Sequence, residues 1–215
     1  KVSRSDFSNE RFKWLSAQNI NIGLAPCSAM RVNFVGELGW ELHHPIEYQN
    51  HIFDQLMEAG KEFGLKPYGI RAMNSLRVEK SYKLVGTELS IEYSPYESGL
   101  DRFVHPNKGD FIGRAALDKW RVKGFSNKLV TMEIHGVTDA DVLGNNPIYD
   151  NGTVVGRATS GDFGFRLNKS IALGMVKPEL AKVGQKLKID ILGKMHEASI
   201  VEESPYDSEN KLLRA

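Results

Sequence analysis

RVNFVGELGWEL, residues 31–42, decides how the first half of the chain is read, because it sets one carboxylate, Glu37, between Gly36 and Gly39. Arg31, Asn33 and Val35 alternate with Val32 and Phe34 before the glycines, and Trp40 and Leu42 alternate with Glu41 and His43 after them. That period of two predicts a strand on each side of a tight turn. Glycine at both ends of the turn permits backbone angles closed to other residues and removes bulk where a flat ligand would approach. A carboxylate displayed there can accept two parallel hydrogen bonds, which is what the ring N–H and exocyclic amine of a pterin-type aminopyrimidine present. Spacing alone favours an ordinary hairpin turn with a solvated glutamate, since a short Gly-x-x-Gly is common.

Beyond the turn, Pro45 follows the predicted strand end at His43-His44, and proline suits the first turn of a helix. Ile52, Phe53, Leu56, Ala59, Gly60 and Phe63 recur at helical spacing and predict one buried face, with Gly64 as the stop. Lys66-Pro67-Tyr68-Gly69 leads into a second helix carrying Ile70, Ala72, Met73, Leu76 and Val78, on which Arg77 is expected to pair with Glu79 or a neighbour. Tyr82, one turn beyond Val78, either packs as a core aromatic or offers its ring and hydroxyl to a ligand. A third helix is predicted over 112–122, with Asp110 as cap, Ala115, Ala116, Leu117 and Trp120 as apolar surface, and a basic end at Arg121 to Lys123 that suits the helix dipole.

After Gly124 the period changes. Val130, Met132 and Ile134, and later Leu187, Ile189 and Ile191, alternate with polar residues as half-buried strands do. Asn151-Gly152 between Ile148-Tyr149 and Val154-Val155 is a strong hairpin signal, and Gly193-Lys194 is expected to make another turn. Short strands with turns between them predict a sandwich or small barrel from about residue 127 to 204. The fold class is therefore α+β, with an α/β part over residues 1–124 and a β domain over 125–215.

Composition narrows the function. The chain of 215 residues, 41% hydrophobic, is long enough for a packed core, and its 28 basic and 27 acidic residues nearly cancel. No basic run with interleaved aromatics suggests a nucleic-acid partner, and no apolar stretch approaches the roughly 18 residues that span a bilayer. A soluble chain is expected, without nucleic-acid or membrane partners. The lone Cys27 can form neither an intramolecular disulfide nor a cysteine-based zinc site; it reads as packing, in a reducing compartment such as the cytoplasm, or the mitochondrial matrix of a eukaryote. The opening, KVSRSDFSNERF, starts on Lys1 with a strand-like run at once, as a piece of a longer protein would.

Other chemistries find little support. Neither phosphate-cradling glycine motif occurs, so no dinucleotide domain is encoded here. His43 and His44 are neighbours on a predicted strand and face opposite ways, unsuited to a shared metal. No nucleophile elbow is present. Asp101 and Asp110 beside Arg102 and Lys108 read as a solvated loop of paired charges, and Asp162-Phe163-Gly164, without any other kinase element, as coincidence.

Taken in order, RVNFVGELGWELHHP, GIRAMNSLRVEKSY, SPYESGLDRFV and DFIGRAAL resemble the folate-binding region shared by the glycine cleavage T-protein and the dimethylglycine and sarcosine dehydrogenases. YDNGTVVGRATSGDFGF, KSIALGMV and SPYDSENK are similar to the C-terminal region of the two dehydrogenases. The resemblance implies the remainder of an aminomethyltransferase-type folate-binding α/β domain, followed by a small C-terminal β-barrel. It implies that Glu37 binds the pterin ring of tetrahydrofolate, that Leu38 and Gly39 line the same contact, and that Tyr82 touches the folate. T-proteins usually carry Ala-Arg-Asp where this chain has Ala72-Met73-Asn74, and Tyr-Thr where it has Phe34-Val35; both departures point to the dehydrogenase branch.

On that branch the chain is expected to be the tetrahydrofolate-binding part of a flavin-dependent dehydrogenase. The flavin oxidises an N-methyl group, and the one-carbon unit is captured as 5,10-methylenetetrahydrofolate. The FAD domain and the family's acid/base aspartate would lie upstream of Lys1, so no catalytic residue is assigned and the chain by itself is expected to be inactive. The alternatives are an aminomethyltransferase acting with a lipoyl carrier protein, and a non-catalytic folate-binding regulatory module.

Overall fold

The computed structural model describes every residue except Thr138. The chain divides into two compact units, residues 1–73 with 209–215, and residues 74–208.

In the first unit, β1 (Ala17–Ile22), β2 (Ala25–Met30) and β3 (Glu41–His43) form an antiparallel sheet in that order. Ile20 and Ile22 of β1 and Ala25, Cys27 and Ala29 of β2 share its buried face with Phe12 and with Ile52 of helix α1 (Gln49–Gly60). Period-two burial is what antiparallel strands with one wet face require. Cys27 is buried as expected, and that burial pushes its thiol above the ordinary range.

Several local expectations are corrected here. The opening residues 1–16 hold no strand, and neither does the stretch before the glycines: β2 ends at Met30 and residues 31–40 form a bending loop. The side chain of Asn33 explains the second, since its Oδ1 accepts the backbone N–H groups of Val35 (3.2 Å) and Gly36 (2.7 Å) that a ladder would have used. A 3-10 turn, Ile46–Tyr48, precedes α1, so Pro45 does not begin the helix itself. Only the Ile52 side of α1 is buried, while Phe53 and Phe63 are 55% and 74% exposed; three strands cover one narrow stripe of helix. Gly64 does stop the chain in the left-handed conformation, at φ +68°.

In the second unit six strands close into a barrel in the order β4-β7-β6-β5-β8-β9. They are β4 (Lys128–Ile134), β5 (Pro147–Asp150), β6 (Thr153–Gly164), β7 (Lys169–Val176), β8 (Lys186–Ile191) and β9 (Lys194–Val201). Closure leaves no strand edge open, and the alternate residues Val130, Met132, Ile134, Leu187, Ile189 and Ile191 fill the interior. Asn151 (φ +47°) and Gly152 (φ +79°) turn the β5–β6 hairpin between the paired Asp150 and Thr153, the left-handed pair that a two-residue turn needs. The β8–β9 turn is Leu192-Gly193, one residue before the expected Gly193-Lys194, because Lys194 is already paired to Ile191. Gly156 lets β6 pass close to β7: a Cβ there would lie 2.2 Å from the Met175 carbonyl oxygen. Gly156→Ala is therefore expected to destabilise the barrel by about 1–3 kcal/mol, the cost of overpacking, read as a lower midpoint of thermal unfolding.

Helix α2 (Ile70–Glu79) carries the chain from the first unit into the second. Its expected apolar face is only partly real, since Val78 is buried but Ile70 is 77% exposed. What its second half buries is polar: Ser75, Arg77 and Glu79, followed by Lys80 and Ser81. Asn74 Nδ2 donates to Asp162 Oδ2 (2.7 Å), Ser75 Oγ to the Phe163 carbonyl (2.6 Å), and Ser81 Oγ shares a hydrogen bond with Thr131 Oγ1 (2.7 Å). Glu79 accepts the backbone N–H groups of Arg166 (2.7 Å) and Leu167 (3.1 Å) and pairs with the Arg166 guanidinium, which stacks 3.8 Å from the Tyr206 ring. Gly164 leaves the space for it, because a Cβ there would stand 2.8 Å from Glu79 Cγ.

Helix α3 (Arg114–Lys123) starts later than expected and without an Asp110 cap. Gly113, at φ +94°, turns the chain just before it, and Ala115 and Ala116 stay exposed, while Gly124 closes the end by donating to the Trp120 carbonyl.

Candidate functional site

The loop that carries Glu37 is held at both ends. At its start the Arg31 backbone N–H donates to the Ser16 carbonyl (2.9 Å), and the buried guanidinium donates through Nη1 to the Phe12 carbonyl (2.7 Å). At its end the Trp40 ring packs edge-on against Phe7 (5.4 Å between centroids) and Phe12 (6.2 Å). The Arg31 guanidinium lies 5.7 Å from the Trp40 ring, so the two ends meet through a cation over an aromatic face. Gly36 is buried at φ +76°, a conformation that favours glycine, and Glu37 and Gly39 are half-buried with Leu38 exposed between them. The carboxylate therefore sits on a short, braced loop partly open to solvent. A cleft of 630 Å³ in the same unit, lined among others by Arg4, Asn21, His51 and Gln55, does not include it.

Tyr82 belongs to the second unit and is half-buried. Ser81, at φ +56°, turns the chain after α2; the Tyr82 N–H then donates to the Arg77 carbonyl (2.9 Å), and Arg77 Nη1 donates to the Tyr82 carbonyl (3.0 Å). Burial, with the Asp207 carboxylate, holds the phenol above its ordinary range. Of the partners read for Arg77, Glu79 or a neighbour, a neighbour is found: Arg77 Nε and Nη2 donate to Asn74 Oδ1 (3.0 and 2.8 Å), and Nη1 lies 3.5 Å from Glu88 Oε2. Residues two apart on a helix do not face each other, which is why Glu79 takes Arg166 instead. Asp162, set aside as coincidence, anchors Asn74. Asp101, read as part of a loop of paired charges, lies 3.2 Å from Lys128, a residue outside that loop. Among the described residues no group of three or more His, Cys, Asp or Glu side chains is placed to hold a metal ion, and no helix is long and apolar enough to cross a membrane.

Two residues that matter here carried no sequence signal of their own. Asn33 read only as one member of an alternating strand. Glu88 read as nothing, because its partners Arg77 and Ser160 come from a helix and a distant strand.

A small antiparallel sheet bearing a glycine-flanked carboxylate, joined by a helix to a closed barrel, is an aminomethyltransferase-type fold. The crystal structure of glycine cleavage system aminomethyltransferase T from Bartonella henselae matches it with a TM-score of 0.77, covering 85% of this chain and 50% of that one at 24% identity. The family model of the GCVT N-terminal domain matches residues 1–108, and that of the glycine cleavage T-protein C-terminal barrel domain matches residues 127–207. The chain belongs to the glycine cleavage T-protein family. It is 39% identical over 204 residues to mitochondrial dimethylglycine dehydrogenase of Homo sapiens, covering 94% of this chain and 23% of that protein. It is 33% identical over 201 residues to an aminomethyltransferase of Desulfitobacterium hafniense, covering 94% of this chain and 54% of that protein. The chain thus spans about a quarter of the former and half of the latter. The family resemblance and the fold class read from the sequence are both borne out.

Proposed function

We propose that this chain is the tetrahydrofolate-binding C-terminal part of a flavin-dependent dehydrogenase of dimethylglycine or sarcosine, placing folate to receive a one-carbon unit. The observation that carries the reading is the braced glycine-flanked loop at Glu37. Its chemistry fits a pterin: a half-buried carboxylate, a buried left-handed Gly36 and a Gly39 without side chain leave a charged double acceptor beside bare backbone. Glu37 orients the ring through paired hydrogen bonds, Leu38 and Gly39 line its face, and Tyr82 contributes an aromatic surface. Bound tetrahydrofolate supplies the amine that takes up the one-carbon unit; FAD, held by a preceding region, supplies the oxidation. The protein's share in this half is placement, which turns a bimolecular encounter into a local one. We place the functional boundary at 124/125, between the folate-binding domain and the barrel, and the protein in a reducing compartment.

The higher identity to dimethylglycine dehydrogenase than to the aminomethyltransferases, and Met73 in place of an arginine, favour the dehydrogenase. The aminomethyltransferase reading is the rival, because those relatives share the same stretch. The test is made on the natural full-length protein. Bleaching of its flavin absorbance by dimethylglycine or sarcosine, with tetrahydrofolate bound in titration calorimetry, is the expected result. A protein without flavin that releases methylenetetrahydrofolate from an aminomethyl-lipoyl carrier would overturn it in favour of the rival.

A further inference from the structure

We propose that Asn33 is the positioning residue of the Glu37 loop, an inference that rests on the folate-binding reading of Glu37. Its side chain touches both arms of the turn. On the arm leading to Glu37, Oδ1 accepts the N–H groups of Val35 (3.2 Å) and Gly36 (2.7 Å), which fixes the 34–35 and 35–36 peptide planes on the approach to Gly36 and Glu37. On the arm leading away, Gly39 sits so close that a Cβ added there would be 3.3 Å from the Cβ of Asn33. One amide side chain therefore sets the width of the turn and the direction in which Glu37 leaves it.

The arrangement assigns separate reasons to the two glycines. Gly36 adopts a φ of +76° that favours glycine, whereas at Gly39 the absence of a side chain leaves Asn33 uncrowded. Neither Arg31 nor Trp40 can do the same work, since they brace the ends of the loop and make none of the hydrogen bonds to the N–H groups of Val35 and Gly36. A carboxylate that must meet two donors at once is sensitive to such aiming, because a displacement of about 1 Å can remove one of the pair.

The experiment compares Asn33→Ala, Asn33→Ser and Glu37→Gln in the full-length protein, by titration calorimetry with tetrahydrofolate and by thermal unfolding. Asn33→Ala is expected to weaken tetrahydrofolate binding on the order of tenfold with little change in the unfolding midpoint. Asn33→Ser, whose hydroxyl can accept the same backbone N–H groups, is expected to restore most of the affinity. Loss in both Asn33 variants, or a fall in midpoint that accompanies the loss in alanine and persists in serine, overturns the positioning role. Native affinity in Asn33→Ala with loss in Glu37→Gln also overturns it but leaves the folate reading standing. Native affinity in Glu37→Gln overturns the folate reading itself.

Discussion

Replacing Glu88 by alanine is expected to destabilise the second unit by about 3–5 kcal/mol, the usual cost of breaking a buried ion pair from one side. Glu88 is fully buried, and its oxygens accept Ser160 Oγ (2.5 Å), Thr87 Oγ1 (2.8 Å) and the Leu84 N–H (2.8 Å), with the Arg77 guanidinium at 3.5 Å. Removing the carboxylate strands those donors and takes from the buried Arg77 the nearer of its two carboxylates, leaving it the Asn74 and Tyr82 hydrogen bonds and the charge of Asp162. Glu88→Gln keeps the shape but presents an N–H₂ group to donors, so it is expected to recover only part of the loss. A change below about 1 kcal/mol in Glu88→Ala, by chemical denaturation, would contradict this account of the second unit.

The same site gives a pH dependence. Burial is the largest influence on the Glu88 carboxyl and pushes it up, but hydrogen bonding, from Ser160 above all, holds it below its ordinary value. A carboxyl lowered on folding adds stability above its unfolded value, and that stability is lost as pH falls through the lower, folded value. The acid limb of the stability curve below the ordinary carboxylate range is therefore expected to flatten in Glu88→Gln relative to the native protein.

How far the sequence reveals this molecule follows from which forces are local. The barrel strands at Val130–Ile134 and Leu187–Ile191 are legible because a wet face and a packed face impose period two, and Asn151-Gly152 because a two-residue turn demands positive φ twice. Residues 31–35 mislead, because the alternation is real but a local side chain, Asn33, takes the N–H groups a partner strand would need. Phe53, Phe63 and Ile70 mislead for a different reason: helical spacing says which residues share a face, not how wide a surface is there to cover it. The polar clamp of α2 on the barrel is invisible, since Glu79 meets Arg166 and Asn74 meets Asp162 across more than eighty residues. Of the proposed site, Glu37 is visible from its glycines, whereas position alone leaves Tyr82 open between core packing and ligand contact, and family resemblance is what favours the second.

The second large effect falls on Glu37 itself. Two charge-assisted hydrogen bonds, each contributing about 1.5–3 kcal/mol, connect the proposed carboxylate to the pterin edge. Glu37→Ala in the full-length protein is therefore expected to weaken tetrahydrofolate binding by roughly 100-fold or more. Flavin reduction by the N-methyl substrate should continue at its native rate, because the proposed function assigns that step to a different part of the protein. Glu37 is half-buried on a loop whose ends are held by other residues, so the unfolding midpoint should move little. Glu37→Gln should fall between, keeping one acceptor oxygen and turning the other into a donor that opposes the pterin amine. Loss of flavin reduction together with folate affinity would instead mark Glu37 as a general structural residue.

The most direct measurement is a crystal structure of the full-length protein with tetrahydrofolate bound. Both Glu37 carboxylate oxygens are expected within hydrogen-bonding distance of the pterin ring N–H and its exocyclic amine, with Gly39 against the ring face. A pterin seated elsewhere, with Glu37 turned to solvent or to the protein interior, would contradict the assignment on which the proposed function rests.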